Sequence, residues 1–129
     1  MASGFPASTG DVLSAPMFNE LVQYTINTQS GATYTLASTD QYQVLVLTSN
    51  ASTKTVSIPT DATTNFGIGT TITIINTGAG LLTINAVTPG TTTVTSAGAT
   101  SASPTVAQHR GAVCIKTAAN TWRVLGAVS

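Results

Sequence analysis

His109 is the one histidine of a 129-residue chain, so every histidine-dependent acid–base or nucleophilic mechanism has to pass through it. A Ser–His–Asp arrangement would combine it with Asp40 or Asp61 and one of many serines. No Gly-X-Ser-X-Gly elbow marks any serine for that role. The pair His109-Arg110 stands just before a strand pattern and reads as a surface or interface pair. Cys114 is the one cysteine and alternates with Val113 and Ile115. It is a buried inert thiol or, with a lowered pKa, a nucleophile, and no motif surrounds it. One His and one Cys do not make a zinc site within one chain. The acids Asp11, Glu20, Asp40 and Asp61 lack the spacing of a calcium loop, although an ion on an oligomer axis would draw single ligands from several copies. Gly67-Ile68-Gly69 and Gly78-Ala79-Gly80 lack the third glycine and the strand-to-helix setting of a phosphate cradle, and read as turns. Paired carboxylates for glycoside cleavage would have to come from two subunits. The pattern predicts no enzyme, no cofactor and no resident metal. Trp122, on one strand face with Val124, is a core or interface anchor or else a sugar-stacking platform.

The elements that must position these residues follow from composition. Charged residues are 6% of the chain, four cations balance four anions, and mean hydropathy is +0.29. Four cations in a neutral chain do not make a nucleic-acid surface or a polybasic membrane anchor. Disorder requires lower hydrophobicity and more charge. A disulfide framework requires paired cysteines. No apolar run is long enough to cross a bilayer, and the first residues lack the basic and apolar regions of a signal peptide. The expectations are no nucleic acid, no membrane, and synthesis in a cytoplasm with a reduced thiol. Threonine is roughly a fifth of the residues. It is β-branched and lets a strand face water without charge, so the composition points to an all-β protein with an uncharged polar skin.

Residues 1–30 read as an N-terminal arm with one short helix over about 14–23. Ser14 is the N-cap, Pro16 sits in the first turn, and Met17, Phe18, Leu21 and Val22 form an apolar stripe. A helix of two or three turns does not stand alone, so it must dock. Residues 31–129 read as one β domain. Val44–Leu47 is apolar on both faces, as in a central strand. Ile72 and Ile74 share one face, with Thr71, Thr73 and Ile75 on the other. Asn76-Thr77-Gly78-Ala79-Gly80 reads as a hairpin loop whose glycines supply positive φ. The last hairpin turns at Ala118-Ala119-Asn120. The fold class expected is a single antiparallel sandwich or barrel, jelly-roll-like. No fixed repeat supports a solenoid. Sheet edges in monomers are guarded by Lys, Pro or bulges. With only Lys54 and Lys116, the edges and apolar strand faces are expected to be covered by other copies.

Two stretches carry a resemblance. Gly10-Asp11-Val12-Leu13-Ser14-Ala15, with Asn19 beyond it, resembles a leader of phage fibre and appendage proteins, with Pro16 a departure. From about 42 to 126, the markers are Val56-Ser57-Ile58-Pro59, Phe66 through Gly69-Thr70-Thr71-Ile72-Thr73-Ile74, Asn76 with Gly78 and Gly80, and Trp122 through Gly126. These are similar to a β domain of tailed-bacteriophage head and tail proteins, in which Gln often stands where Asn76 does. The resemblance implies a non-enzymatic virion structural protein, typically homotrimeric. It suits a capsid decoration, or cement, protein that contacts the major capsid protein and stabilises the shell. The alternative is a tail fibre, spike or head-fibre component binding a host receptor or glycan. On the first reading Phe5, Leu13, Met17, Phe18, Leu21 and Val22 contact the partner, while Val44, Val46, Ile72, Ile74 and Trp122 serve the core or the oligomer.

Overall fold

The computed structural model describes residues 23–129. The contact residues expected at Phe5, Leu13, Met17, Phe18, Leu21 and Val22, and all but the last residue of the expected helix, lie outside the described residues. Ten strands run in chain order: β1 (Thr25–Gln29), β2 (Thr33–Thr35), β3 (Val44–Thr48), β4 (Lys54–Ile58), β5 (Thr71–Asn76), β6 (Leu82–Ala86), β7 (Thr93–Ser96), β8 (Thr105–Val106), β9 (Arg110–Ala118) and β10 (Thr121–Gly126). One 3-10 turn, Ser38–Asp40, is the only helical element among the described residues. The described residues are therefore all-β. β1 lies in the stretch read from sequence as arm, and in the structure it is a strand of the larger sheet.

The strands form two sheets, ordered β1-β3-β5-β9-β10-β7 and β2-β4-β6-β8. The expectation of an antiparallel sandwich needs correction, because both sheets are mixed. β1, β3 and β5 run parallel in one sheet, and β2, β4 and β6 run parallel in the other. Antiparallel pairing is confined to β5–β9, β9–β10 and β6–β8, with β10–β7 again parallel. From β1 to β6 the chain alternates between the sheets, so each of β3 to β6 lies beside the strand two places earlier. Each β–turn–β unit is one turn of a flattened coil, stacked on the unit before it.

The coil explains what the segment after β5 does. Asn76–Gly80 is not a hairpin loop, because β6 leaves for the opposite sheet. Leu45 pairs with Thr73 and Lys54 with Leu82, an offset of 28 residues in both sheets, so the turn after β5 lies directly on the turn after β3. A Cβ on Gly78 would overlap the carbonyl oxygen of Asn50, and one on Gly80 would overlap that of Ser52. Close backbone approach, rather than positive φ, is what requires glycine there. The preceding unit has a shorter offset, with Thr25 paired to Val44 and Thr33 to Thr55, which is why no fixed period shows in the sequence.

Alternation sends one face of every strand into a single core. Val44, Val46, Ile72, Ile74, Cys114, Trp122 and Val124 enter from the six-stranded sheet. Val56, Ile58, Leu82, Ile84 and Val106 enter from the four-stranded sheet. Phe66 meets Trp122 edge-to-face at 5.5 Å between ring centroids, a favoured aromatic geometry.

Candidate functional site

Three polar clusters could do chemistry, and each is tied into the scaffold. Lys116, on the inward face of β9, is fully buried. Its Nζ donates to Asp61 Oδ1 at 2.8 Å, to Asn65 Oδ1 at 3.1 Å and to the Phe66 carbonyl at 2.6 Å. Asp61 also accepts from the Asn120 amide, while Asn120 Oδ1 accepts from the Asp61 amide. The hydrogen bond from Lys116 is the main reason the Asp61 carboxyl titrates below its usual range. The cluster pins the loop between β4 and β5 to the β9–β10 hairpin.

Lys54 is buried on β4 and donates to the carbonyl oxygens of Asn50 and Gly80. Desolvation lowers its pKa, because burial disfavours the charged form. Asn76 shares the Gly80 oxygen, donates to Val106 O and accepts from the Gly78 amide. Lys54 and Asn76 thus tie together backbone that the stacked turns take out of water.

Asp40 is buried and accepts from Asn27 Nδ2, Tyr34 Oη and the Ala37 amide. Burial, with the Asp40 carboxylate second, pushes the Tyr34 hydroxyl up to about 12. Gln29 extends the set through Asn27. These side chains occupy the inward side of β1 and β2, so polar groups close the core where the coil begins.

The other candidates stand apart from one another. Cys114 is fully buried and burial raises its pKa to about 12, so the thiol is protonated and inert at neutral pH. His109 is exposed, takes a left-handed backbone at φ 65°, and sits ahead of β9, not beside Cys114's inward face. Trp122 is buried in the core and so presents no ring to a sugar. Among the described residues no group of three or more His, Cys, Asp and Glu converges as a metal site. No helix among them is long and apolar enough to cross a membrane.

The surface is uneven. Both lysines are buried, so neither guards an edge, and the only exposed charged side chains among the described residues are Arg110 and Arg123. The solvent side of the four-stranded sheet carries Thr55, Ser57, Thr83, Asn85 and Thr105. The solvent side of the six-stranded sheet carries a register-matched row, Ile26–Leu45–Thr73–Val113–Leu125, across five strands. Leu47, Ile75 and Ile115 flank that row. Ile26 is 52% and Leu125 54% exposed.

A shallow groove of about 660 Å³ opens at the starts of β1, β3 and β5. Tyr24, Tyr42 and Ile68 rim it, and no charged residue lines it. Tyr42 and Gln43 are consecutive non-glycine residues in left-handed backbone, a strained arrangement that tends to mark functional loops. The strong burial of the core had a sequence signal in alternation. The apolar solvent face had one too, in the double-sided run Val44–Leu47, but its extent across five strands needed the register. Compared with known proteins, the chain matches no family, no curated protein and no solved structure.

Proposed function

We propose that this chain is a non-enzymatic structural protein of a tailed-phage virion, made in the bacterial cytoplasm, that acts as a homotrimeric capsid decoration protein. The observation that carries the assembly part is the contrast between its two solvent faces: one is hydroxyl- and amide-rich, and the other carries Ile26, Leu45, Leu47, Ile75, Val113, Ile115 and Leu125 around Thr73. A sheet face in permanent contact with water alternates to polar outward residues, and a contiguous exposed apolar patch marks a contact surface. The resemblance to phage β domains supplies the virion. The residues that carry it have structural work in this fold: Phe66 and Trp122 pack together, Asn76 ties the stacked turns, and Gly78 and Gly80 let those turns touch.

On this reading the protein stabilises the shell by burying surface between major capsid proteins. Specific, stable protein–protein interfaces bury about 1,600 Å² in total, which sets the size of contact this role requires. The test adds purified protein to shells stripped of it. Saturable rebinding, with greater resistance of the shell to heat, is the expected result; shells that stay bare overturn the reading.

The groove favours a second reading, a fibre or spike component that binds a host glycan. Exposed Tyr24 and Tyr42 offer faces for sugar C–H groups, and Gln41, Asn65 and Thr70 offer uncharged hydrogen-bonding partners. Binding to host cells that is lost in Tyr42→Ala would establish it.

A further inference from the structure

We propose that residues 17–22 of this chain seat their apolar side chains in the chain's own groove, at the starts of β1, β3 and β5. The proposal goes beyond the decoration role and does not depend on it. It also gives the groove of the glycan reading an internal occupant, which a sugar would have to displace.

Chain connectivity selects that occupant. β3 and β5 are each entered through a segment that crosses over from the four-stranded sheet, residues 36–43 and 59–70. Both segments line the groove, the first through Tyr42 and the second through Ile68. β1 lies beside β3 and parallel to it, so β1 starts at the same end of the sheet. The chain has to reach β1 past that end as well, and the residues up to 22 are the ones that do so. Tyr24 already lines the groove, and the Thr25 amide donates to the Gln43 carbonyl at 2.8 Å, so the entry to β1 is fixed at the rim. A segment tethered this closely has an effective concentration in the millimolar range, which a free molecule would have to match.

Size and polarity agree with the tether. Three strand starts span two strand spacings, about 10 Å. In the helix that the sequence predicts, Met17 to Val22 covers about 8 Å. Met17, Phe18, Leu21 and Val22 fall on one side of that helix, with Asn19 and Glu20 on the other. The groove supplies the apolar counterpart from side chains that stand out of the fold: Tyr24, Tyr42 and Ile68, the last 71% exposed. Seating the stripe there takes both apolar surfaces out of water and leaves Glu20 in it. A helix this short is stable only when docked in such a way.

Hydrogen exchange of the full chain, read by mass spectrometry on peptides covering residues 13–22, tests the seat. The expected result is exchange at least ~10-fold slower than in an unstructured chain. Ile68→Ser, Tyr42→Asn and Phe18→Ser should each restore fast exchange. Asn tolerates the left-handed backbone that Tyr42 adopts, at φ 61°. Leu81→Ser, at an exposed apolar side chain just before β6 at the other end of the coil, should change nothing. Native Trp122 emission serves as the folding check for every variant. A disulfide then identifies which copy supplies the segment. Leu21→Cys and Ile68→Cys in one chain should close within the monomer, while the two single variants mixed should not pair. Cys114 is buried and stays out of that chemistry. Unprotected amides over 13–22 overturn the proposal. Protection that survives Ile68→Ser and Tyr42→Asn overturns it too, because the segment then lies elsewhere. Pairing of the mixed single variants gives the groove to a neighbouring copy and overturns it as well. Rebinding to stripped shells is a separate readout, so failure of the decoration role leaves these outcomes unchanged.

Discussion

Lys54 on β4 donates at 3.0 Å to the carbonyl oxygen of Gly80, the last glycine of the turn stacked on its own unit. Asn76 donates to the same oxygen at 2.9 Å. The contact closes only because the turns touch backbone to backbone, with no room for a Cβ at Gly80. Gly80→Ala therefore forces the two turns apart and strains both donors. Overpacking of this kind costs about 1–3 kcal/mol. Urea unfolding followed by the single tryptophan should show a lower midpoint and an unfolding free energy reduced by that amount, while Gly90→Ala, in open space, stays near wild type.

The Lys116–Asp61 pair sets the acid limb of stability. The folded Asp61 pKa lies below the ordinary 3.8, so its contribution is fully present above that value and is lost as pH falls through the folded pKa. Asp61→Asn should flatten that loss in acid unfolding curves. Lys116→Ala removes the cation from Asp61, Asn65 and the Phe66 carbonyl together. The Asp61 side chain keeps 20% exposure, which softens the penalty to about 2–3 kcal/mol at neutral pH.

The alkaline limb has the opposite sign. Cys114 and Tyr34 are both held protonated in the fold, up to about 12. Their contributions are complete below the unfolded values of 9.0 and 10.0 and are lost as pH rises toward 12. Lys54, lowered from 10.5, works the other way and adds stability as pH climbs toward 10.5. Cys114→Ala should remove the part of the loss that begins near pH 9, and Lys54→Met should steepen what remains. In the native protein the thiol should resist a thiol reagent at pH 8 and react fully in denaturant.

Alternation made most strands legible. Thr33–Thr35, Val44–Thr48, Thr71–Asn76 and Thr121–Gly126 lie where the periodicity places them. Partner choice was not legible, because a period of two fixes which face is buried and says nothing about whether the neighbour is parallel. The coil was hidden further by its unequal units, with offsets of 19 and 22 residues before the constant 28. β1 escaped notice because Thr25-Ile26-Asn27-Thr28-Gln29 puts amides on its inward side, where Asn27 meets Tyr34 and Asp40. The burial of both lysines was hidden for a related reason. Their partners are carbonyl oxygens and side-chain oxygens brought in from other turns, so nothing local marks Lys54 and Lys116 as buried until the fold assembles those acceptors. The low charge of the chain was visible at once, and burial of Asp40, Lys54 and Lys116 makes its surface barer still.

On the proposed decoration role, copy number in purified virions that contain this chain tests the central claim most directly. Quantitative gel densitometry or mass spectrometry against the major capsid protein supplies the number. The account predicts hundreds of copies, in threes, on the outside of the shell. Absence from the particle, or a few copies confined to the tail, would contradict it.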